Sequence, residues 1–387
     1  MKTPEHRLVF LLLALIANPA VAGAPPGAPP RPAPSEAAFG GEILSLGGVV
    51  GHRIDRMIKG NLYQLDMEKT FLSFFRKRDA DGKTYRGLGK TLDAAVHFAA
   101  LTSDPEIVRW KDKWIDELIA TQEPDGYIGT FPPGPNRYVG RFDTHEKGPI
   151  ILALTNDYRF FGRGNSLRAA RRLADEIITH WPDEMPHNRL WTVEYPLILL
   201  SETSGDSRYV DWVRKTFFPG GQLCREWALS LGGNPVRPLK LWGAHVYRWC
   251  DVNIAMLDLD RHFPNPTLTS AWPQMMAWLK DGGSLPTGSF ADHEGWRRSQ
   301  TTRSMVDPDP ETRFIHTRTK ICESCAKFYV VQLLDRVQRQ EPATYYGDVI
   351  ERTVYNGLFA SQSPEGRRIV YDLSVEGTRM PYQPDWY

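Results

Sequence analysis

The feature that most constrains this chain is a helical pattern that recurs along its centre. DPEIVRWKDKWIDELIATQ places Ile107, Trp110, Trp114 and Leu118 on one stripe, with Asp104 set to cap the helix and Pro105 at its first position. NSLRAARRLADEIITHW repeats the plan after FFGRG, with Leu167, Ala170, Leu173 and Ile177 facing inward. SGDSRYVDWVRKTFF, NPTLTSAWPQMMAWL and TYYGDVIERTVYNGLF follow it again. Several of these segments come after an apolar helix and a short turn of Gly, Asn, Asp or Pro, as in ILALTNDYRFFGRGN, YPLILLSETSGDS and VNIAMLDLDRHFPNP. The unit is an antiparallel helix pair recurring every about 40 to 60 residues, and such pairs bury their apolar faces only against neighbours. This predicts an all-α solenoid or closed toroid, with a period too irregular for a tetratricopeptide or HEAT array. Two long inserts, EPDGYIGTFPPGPNRYVGRFD and DGGSLPTGSFADHEGWRRSQTTRSMVDPDPETRFIHTR, are expected as loops gathered at the mouth of an (α/α) barrel. Long loops on a rigid scaffold are where function concentrates.

The N-terminus predicts export. Lys2 and Arg7 precede the apolar run LVFLLLALIA, and Ala20-Val21-Ala22 supplies the small residues of a cleavage site, so residues 1–22 read as a secretory signal. A secreted or periplasmic location follows. The run is short for a membrane span, and no later segment approaches the roughly 18 continuous apolar residues that one needs. GAPPGAPPRPAP makes residues 23–40 an extended linker. Lys plus Arg (47) nearly cancels Asp plus Glu (46), for a formal charge of +1, which argues against a nucleic-acid partner. The 12 Trp, 15 Tyr and 17 Phe suit a chain that stacks sugar rings, although an aromatic core would carry the same composition. After Phe359 the character changes, and RRIVYDLSVEG alternates like a strand. A lone strand is not stable by itself, so either another segment covers it or the chain is cut short.

Candidate chemistry sits in a few segments. GLGKTLDA contains Gly-Lys-Thr, but Thr84 stands where a phosphate loop needs its first glycine, so nucleotide binding is discarded. His145-Glu146 has no second histidine four residues on, so the zinc-protease pattern is absent. His145 and His245 both follow irregular segments, where an imidazole serves either the fold or a sugar hydroxyl. Glu294, in TGSFADHEGW, lies near Trp296, and an indole disfavours the charged carboxylate and raises its pKa towards that of a general acid. Finally, KICESCAKFYVVQLLDRV holds Cys322 and Cys325, half of the four cysteines in the chain. Ala326, Tyr329, Val330, Leu333, Leu334 and Val337 form a helical stripe, so a helix starts near Cys325. Glu323 and Cys325 converge on one ion only where the backbone is extended or turning, as at a helix entrance. The pair Cys322 and Cys325 reads as a redox couple, one half of a metal site, or a local disulfide.

In order and spacing these segments resemble the β-L-arabinofuranosidase-like glycoside hydrolases. The resemblance runs from LGKTLDAAVHFAALTSDPEI and ELIATQEPDGYIGTF through THEKGPIILAL and WGAHVYRW to Glu323–Ala326 and GDVIERTVYNGLFAS. It implies an (α/α)6 barrel of antiparallel helix pairs over residues 41–362, with residues 363–387 starting a C-terminal β-sandwich. It implies a zinc site in which Glu323 and Cys325 are ligands together with two adjacent downstream cysteines, one of them the nucleophile. Glu294 matches the acid/base glutamate, while His145 and His245 match sugar contacts; Trp296, close to Glu294, is a further candidate substrate contact, and Cys322 has no counterpart. The adjacent cysteine pair does not occur in this sequence, so a chain truncated before its nucleophile, inactive alone and holding only half of the zinc site, is expected.

The implied reaction is retaining hydrolysis of furanosides or related plant-type glycans, with a zinc-bound thiolate in place of one carboxylate. Two rival expectations stand beside it. One is an inactive carbohydrate-binding or scaffold protein on the same barrel. The other is a metal-independent (α/α) toroid lyase or hydrolase using Glu294, Glu323 and His245.

Overall fold

The computed structural model describes residues 46–79, 86–134, 137, 141–180, 192–217, 246–264 and 321–374, with a few isolated positions between 273 and 288. Glu294, Trp296 and His245 lie outside the described residues. The chain divides into two compact units, Val21–Gly221 and Gln222–Trp386. It is mostly helical and of the (α/α) barrel class.

In the N-terminal unit, α1 (Gly48–Arg56) runs into a wide turn, and α2 (Ser73–Lys77) follows. Three helical hairpins come next: α3 (Leu88–Thr102) with α4 (Pro105–Ile119), α5 (Arg141–Phe161) with α6 (Gly164–His180), and α7 (Glu194–Ser204) with α8 (Arg208–Phe217). Links of two or three residues force each pair antiparallel. The expected cap is present, since Asp104 accepts the Glu106 N–H at 2.8 Å and Pro105 opens α4. Helix α7 ends at Gly205, whose φ of +70° is the left-handed geometry that a side chain resists.

One predicted stripe is rotated. On α4 the buried residues are Ile107, Lys111, Ile115 and Leu118, whereas Trp110 and Trp114 are half-buried on the flank. The indoles pack edge to face at 6.3 Å, with Tyr63 beside Trp110 at 6.4 Å. Lys111 takes the inward place because its ammonium meets the buried Asp157 carboxylate at 2.7 Å, and a paired charge is tolerated where a lone one is not. On α6, Ala170, Leu173 and Ile177 are buried as expected, with Leu167 at the margin.

In the C-terminal unit, α9 (Val246–His262) packs on α10 (Ser324–Gln340), and α10 packs on α11 (Thr344–Arg352). Ala326, Tyr329, Val330, Leu333, Leu334 and Val337 are all buried, as the stripe predicted. Tyr247 and Tyr329 join α9 to α10, ring against ring at 4.1 Å. The strand signal after Phe359 resolves into β2 (Asp372–Ser374), which pairs antiparallel with β1 (Ile321–Glu323) in the register Glu323↔Asp372. The strand thus has its cover inside the chain. Among the described residues, no helix is long and apolar enough to cross a membrane.

Candidate active site

The Gly-Lys-Thr segment shows why a loop of that shape binds no phosphate here. The backbone N–H groups of Arg86 and Gly87 donate to Glu146 Oε2 at 2.8 and 2.9 Å, and that of Leu88 donates to Oε1 at 2.8 Å. The positive end of α3 is a natural anion site, and the chain fills it with its own carboxylate. Burial pushes the Glu146 carboxyl up, while the backbone donors pull it back. Glu146 is therefore a capping residue supplied from another helix.

Its neighbour His145 lies one turn before Pro149 within α5. Pro149 has no N–H to return to the His145 carbonyl, and the Thr192 hydroxyl donates to that carbonyl at 3.4 Å instead. The same hydroxyl lies 3.4 Å from His145 Nδ1, which ties the ring's orientation to Thr192. A buried charge cluster anchors this stretch. Tyr127 donates to Asp143 Oδ1 at 2.7 Å, and Lys147 bridges Asp143 at 2.7 Å to Glu176 at 3.0 Å. Burial pulls the Lys147 ammonium down, but the two carboxylates more than offset this and keep it charged.

The QEPDGY turn holds Tyr127 in this cluster. Its backbone closes through Glu123 N–H to Tyr127 O at 3.0 Å, and the Arg137 guanidinium stacks on the Tyr127 ring at 3.9 Å. Gly126, at φ +100°, has the Arg172 carbonyl 2.3 Å from where a Cβ would sit, so only glycine fits. This turn, one of the segments that carry the family resemblance, ties the end of α4 to α5 through Tyr127 and Asp143 and to α6 through Gln122 Nε2, which donates to Ala169 O at 3.0 Å.

In the C-terminal unit, Glu323 and Cys325 do converge. Glu323 is the extended N-cap residue of α10, with φ −70° and ψ 143°, so the chain turns between the two residues as their convergence requires. The Cys325 thiol lies 3.3 Å from Glu323 Oε2, and Glu323 is buried. Cys325 is in no disulfide, which removes the local disulfide reading of Cys322 and Cys325. Sequence reasoning missed Tyr371. Its hydroxyl lies 3.0 Å from Cys325 Sγ and 3.4 Å from Glu323 Oε2. The only signal for it was the strand alternation in RRIVYDL, which does not say what the strand faces. Cys250 is also in this unit, buried, with its thiol pushed well up by burial first and by Asp251 next.

The donor set suits a borderline-soft ion. A carboxylate oxygen and a thiol sulfur side by side at a helix entrance match zinc better than calcium or magnesium. They are two donors, and among the described residues no group of three or more His, Cys, Asp or Glu side chains is placed to hold a metal.

The fold is shared with solved structures. The structure superimposes with a TM-score of 0.63 on a solved glycoside hydrolase at 16% identity, over 89% of this chain and 55% of that one. The sequence then narrows it: the chain belongs to the GH127 beta-L-arabinofuranosidase family, whose catalytic-domain model matches residues 68–221 and 289–386. A non-reducing end beta-L-arabinofuranosidase of Bifidobacterium longum subsp. longum is 24% identical over 319 residues, 75% of this chain and 48% of that protein. The chain thus spans about half the length of this curated relative. The solved GH127 beta-L-arabinofuranosidase of Geobacillus stearothermophilus T6 shares the fold at TM-score 0.64 and 21% identity, over 84% of this chain and 57% of its own. A further GH127 beta-arabinofuranosidase aligns at TM-score 0.69 and 18% identity, over 93% of this chain and 59% of its own.

Proposed function

We propose that this chain carries the helical part of a secreted, retaining β-L-arabinofuranosidase-type glycosidase that acts on furanosides of plant-type glycans. The observation that carries the reading is the convergence of Glu323 and Cys325 at 3.3 Å, on the segment the family resemblance singled out. The activity of these relatives supports the substrate class.

In this reading Glu323 and Cys325 hold zinc, which when bound would keep a thiolate deprotonated at neutral pH. Glu294 protonates the leaving glycosidic oxygen and then takes a proton from the incoming water, the double role a retaining mechanism requires. His145, His245 and Trp296 contact the sugar, and the tie to Thr192 would keep the His145 ring in one orientation. The nucleophilic cysteine is expected from an adjacent cysteine pair, which does not occur among these 387 residues.

Two measurements on the purified protein test this: zinc content by elemental analysis, and hydrolysis of an aryl β-L-arabinofuranoside. The reading predicts that Cys325→Ser and Glu323→Gln each lower zinc content. It also predicts that the 387-residue chain alone does not turn the substrate over. Zinc content unaffected by either substitution would refute the metal assignment. Turnover by the chain alone would place the nucleophile among the residues present.

A further inference from the structure

The ladder that covers the C-terminal strand also delivers a phenol to the Glu323–Cys325 pair. In an antiparallel pair, neighbouring residues point to opposite faces, so register decides which side chain meets the helix entrance. Here Glu323 pairs with Asp372, and the Ser324 N–H donates to the Tyr371 carbonyl at 3.0 Å. The Ser324 hydroxyl donates to the same carbonyl at 3.1 Å. One step back, the Val370 N–H donates to Ser361 O at 2.7 Å, so the chain on both sides of residue 371 is fixed. The Tyr371 backbone is therefore held from the residue that separates the two donors.

The side chain then closes a triangle. Tyr371 Oη to Cys325 Sγ is 3.0 Å, Tyr371 Oη to Glu323 Oε2 is 3.4 Å, and Cys325 Sγ to Glu323 Oε2 is 3.3 Å. A phenol has a single proton to donate. When sulfur carries its own proton, the thiol donates to the carboxylate and the phenol bridges the two. When sulfur is a thiolate, the phenol proton turns to it, and a hydrogen bond to an ionised acceptor is about twice as strong as a neutral one.

We infer that Tyr371 is a positioning residue that holds the Glu323 carboxylate and the Cys325 sulfur on one point by donating a hydrogen bond to the sulfur. It rests on the metal-site reading above and adds a residue that neither the motif nor the family match assigns. Partners of this kind orient metal ligands, and their loss typically costs about 10- to 100-fold in metal affinity. Placing the phenol on the residue that leads into β2, rather than on α10, also makes assembly of the donor pair depend on the β1–β2 ladder having formed.

The experiment is a cobalt(II) titration of the whole protein, comparing wild type with Tyr371→Phe and with Tyr355→Phe as a control on a partly exposed ring of the same unit. Cobalt reports sulfur ligation through its sulfur-to-metal charge-transfer band. The expected result for Tyr371→Phe is an affinity loss of about tenfold. The charge-transfer band should also move to longer wavelength, because a thiolate without its hydrogen bond is a better electron donor. Tyr355→Phe should match wild type in both. Band position is read only from folded, loaded molecules, so partial misfolding does not imitate the shift. An unmoved band in Tyr371→Phe, with or without weaker binding, overturns the inference and leaves the metal site standing. Absence of any sulfur-to-cobalt band in wild type overturns the metal-site reading and the inference with it.

Discussion

Glu146 offers the sharpest test of how the N-terminal unit is held. Its side chain is buried and takes three backbone N–H groups at the entrance of α3, at 2.8 to 2.9 Å, where Gly87 supplies no side-chain cap. Net hydrogen bonds to a charged group contribute about 1.5 to 3 kcal/mol each, and a stranded buried donor costs about 1 to 3 kcal/mol. Burying the carboxylate offsets part of this, as the upward push on its pKa indicates. Glu146→Gln keeps one oxygen for two donors but turns an NH2 towards a third N–H, so we expect a loss of about 2 to 3 kcal/mol. Glu146→Ala strands all three, two of them where water has partial access, and we expect about 3 to 5 kcal/mol. Urea unfolding, with the slope unchanged between variants, measures both values, and hydrogen exchange at Arg86, Gly87 and Leu88 localises the loss. The capping argument is refuted if Glu146→Gln lies within about 0.5 kcal/mol of wild type, the usual range of a neutral surface change, or if Ala is no worse than Gln.

Gly126→Ala should cost about 3 kcal/mol, because a Cβ at φ +100° would meet the Arg172 carbonyl; a smaller loss in urea unfolding, below about 1 kcal/mol, would mean the turn relaxes. In folded protein stripped of metal with a chelator, Cys325 should be alkylated by iodoacetamide while buried Cys250 resists until the chain unfolds, as mass spectrometry of peptides would show; labelling of Cys250 in the folded protein would contradict its burial. The Tyr63 hydroxyl is pushed up to about 12 by burial first and by Glu106 and Asp104 next. Because its folded pKa lies above the unfolded value of about 10, its contribution is complete below pH 10 and lost as pH rises through about 12. Tyr63→Phe should therefore flatten the alkaline limb of the stability profile between those values, and an unchanged limb would count against the shift.

Much of the helical architecture was legible before any coordinates. The Asp104-Pro105 cap, the stripe from Ala326 to Val337 and the hairpin turns all depend on residues within four positions of one another, and the chain carries that information locally. The orientation of α4 was not legible. Two tryptophans outrank a lysine on any hydrophobicity scale, and only Asp157, 46 positions away from Lys111, makes the inward lysine stable. The Glu146 cap was hidden for the same reason, since its donors lie 58 to 60 residues back.

The candidate site divides along the same line. The sequence by itself determined that Glu323 and Cys325 stand at a helix entrance, where positions two apart can converge as they cannot inside a helix, and that a strand follows some way on. It left Glu294 and His245 as assignments by resemblance, and Trp296 as a candidate by its closeness to Glu294 in the chain. Only the tertiary structure decided that the strand returns to pair with Ile321–Glu323 in a register that sets Tyr371 against both donors. A slip of one residue would turn that phenol to the other face of the ladder. Alternation along a strand is a local property, whereas register is a contact between segments 48 residues apart.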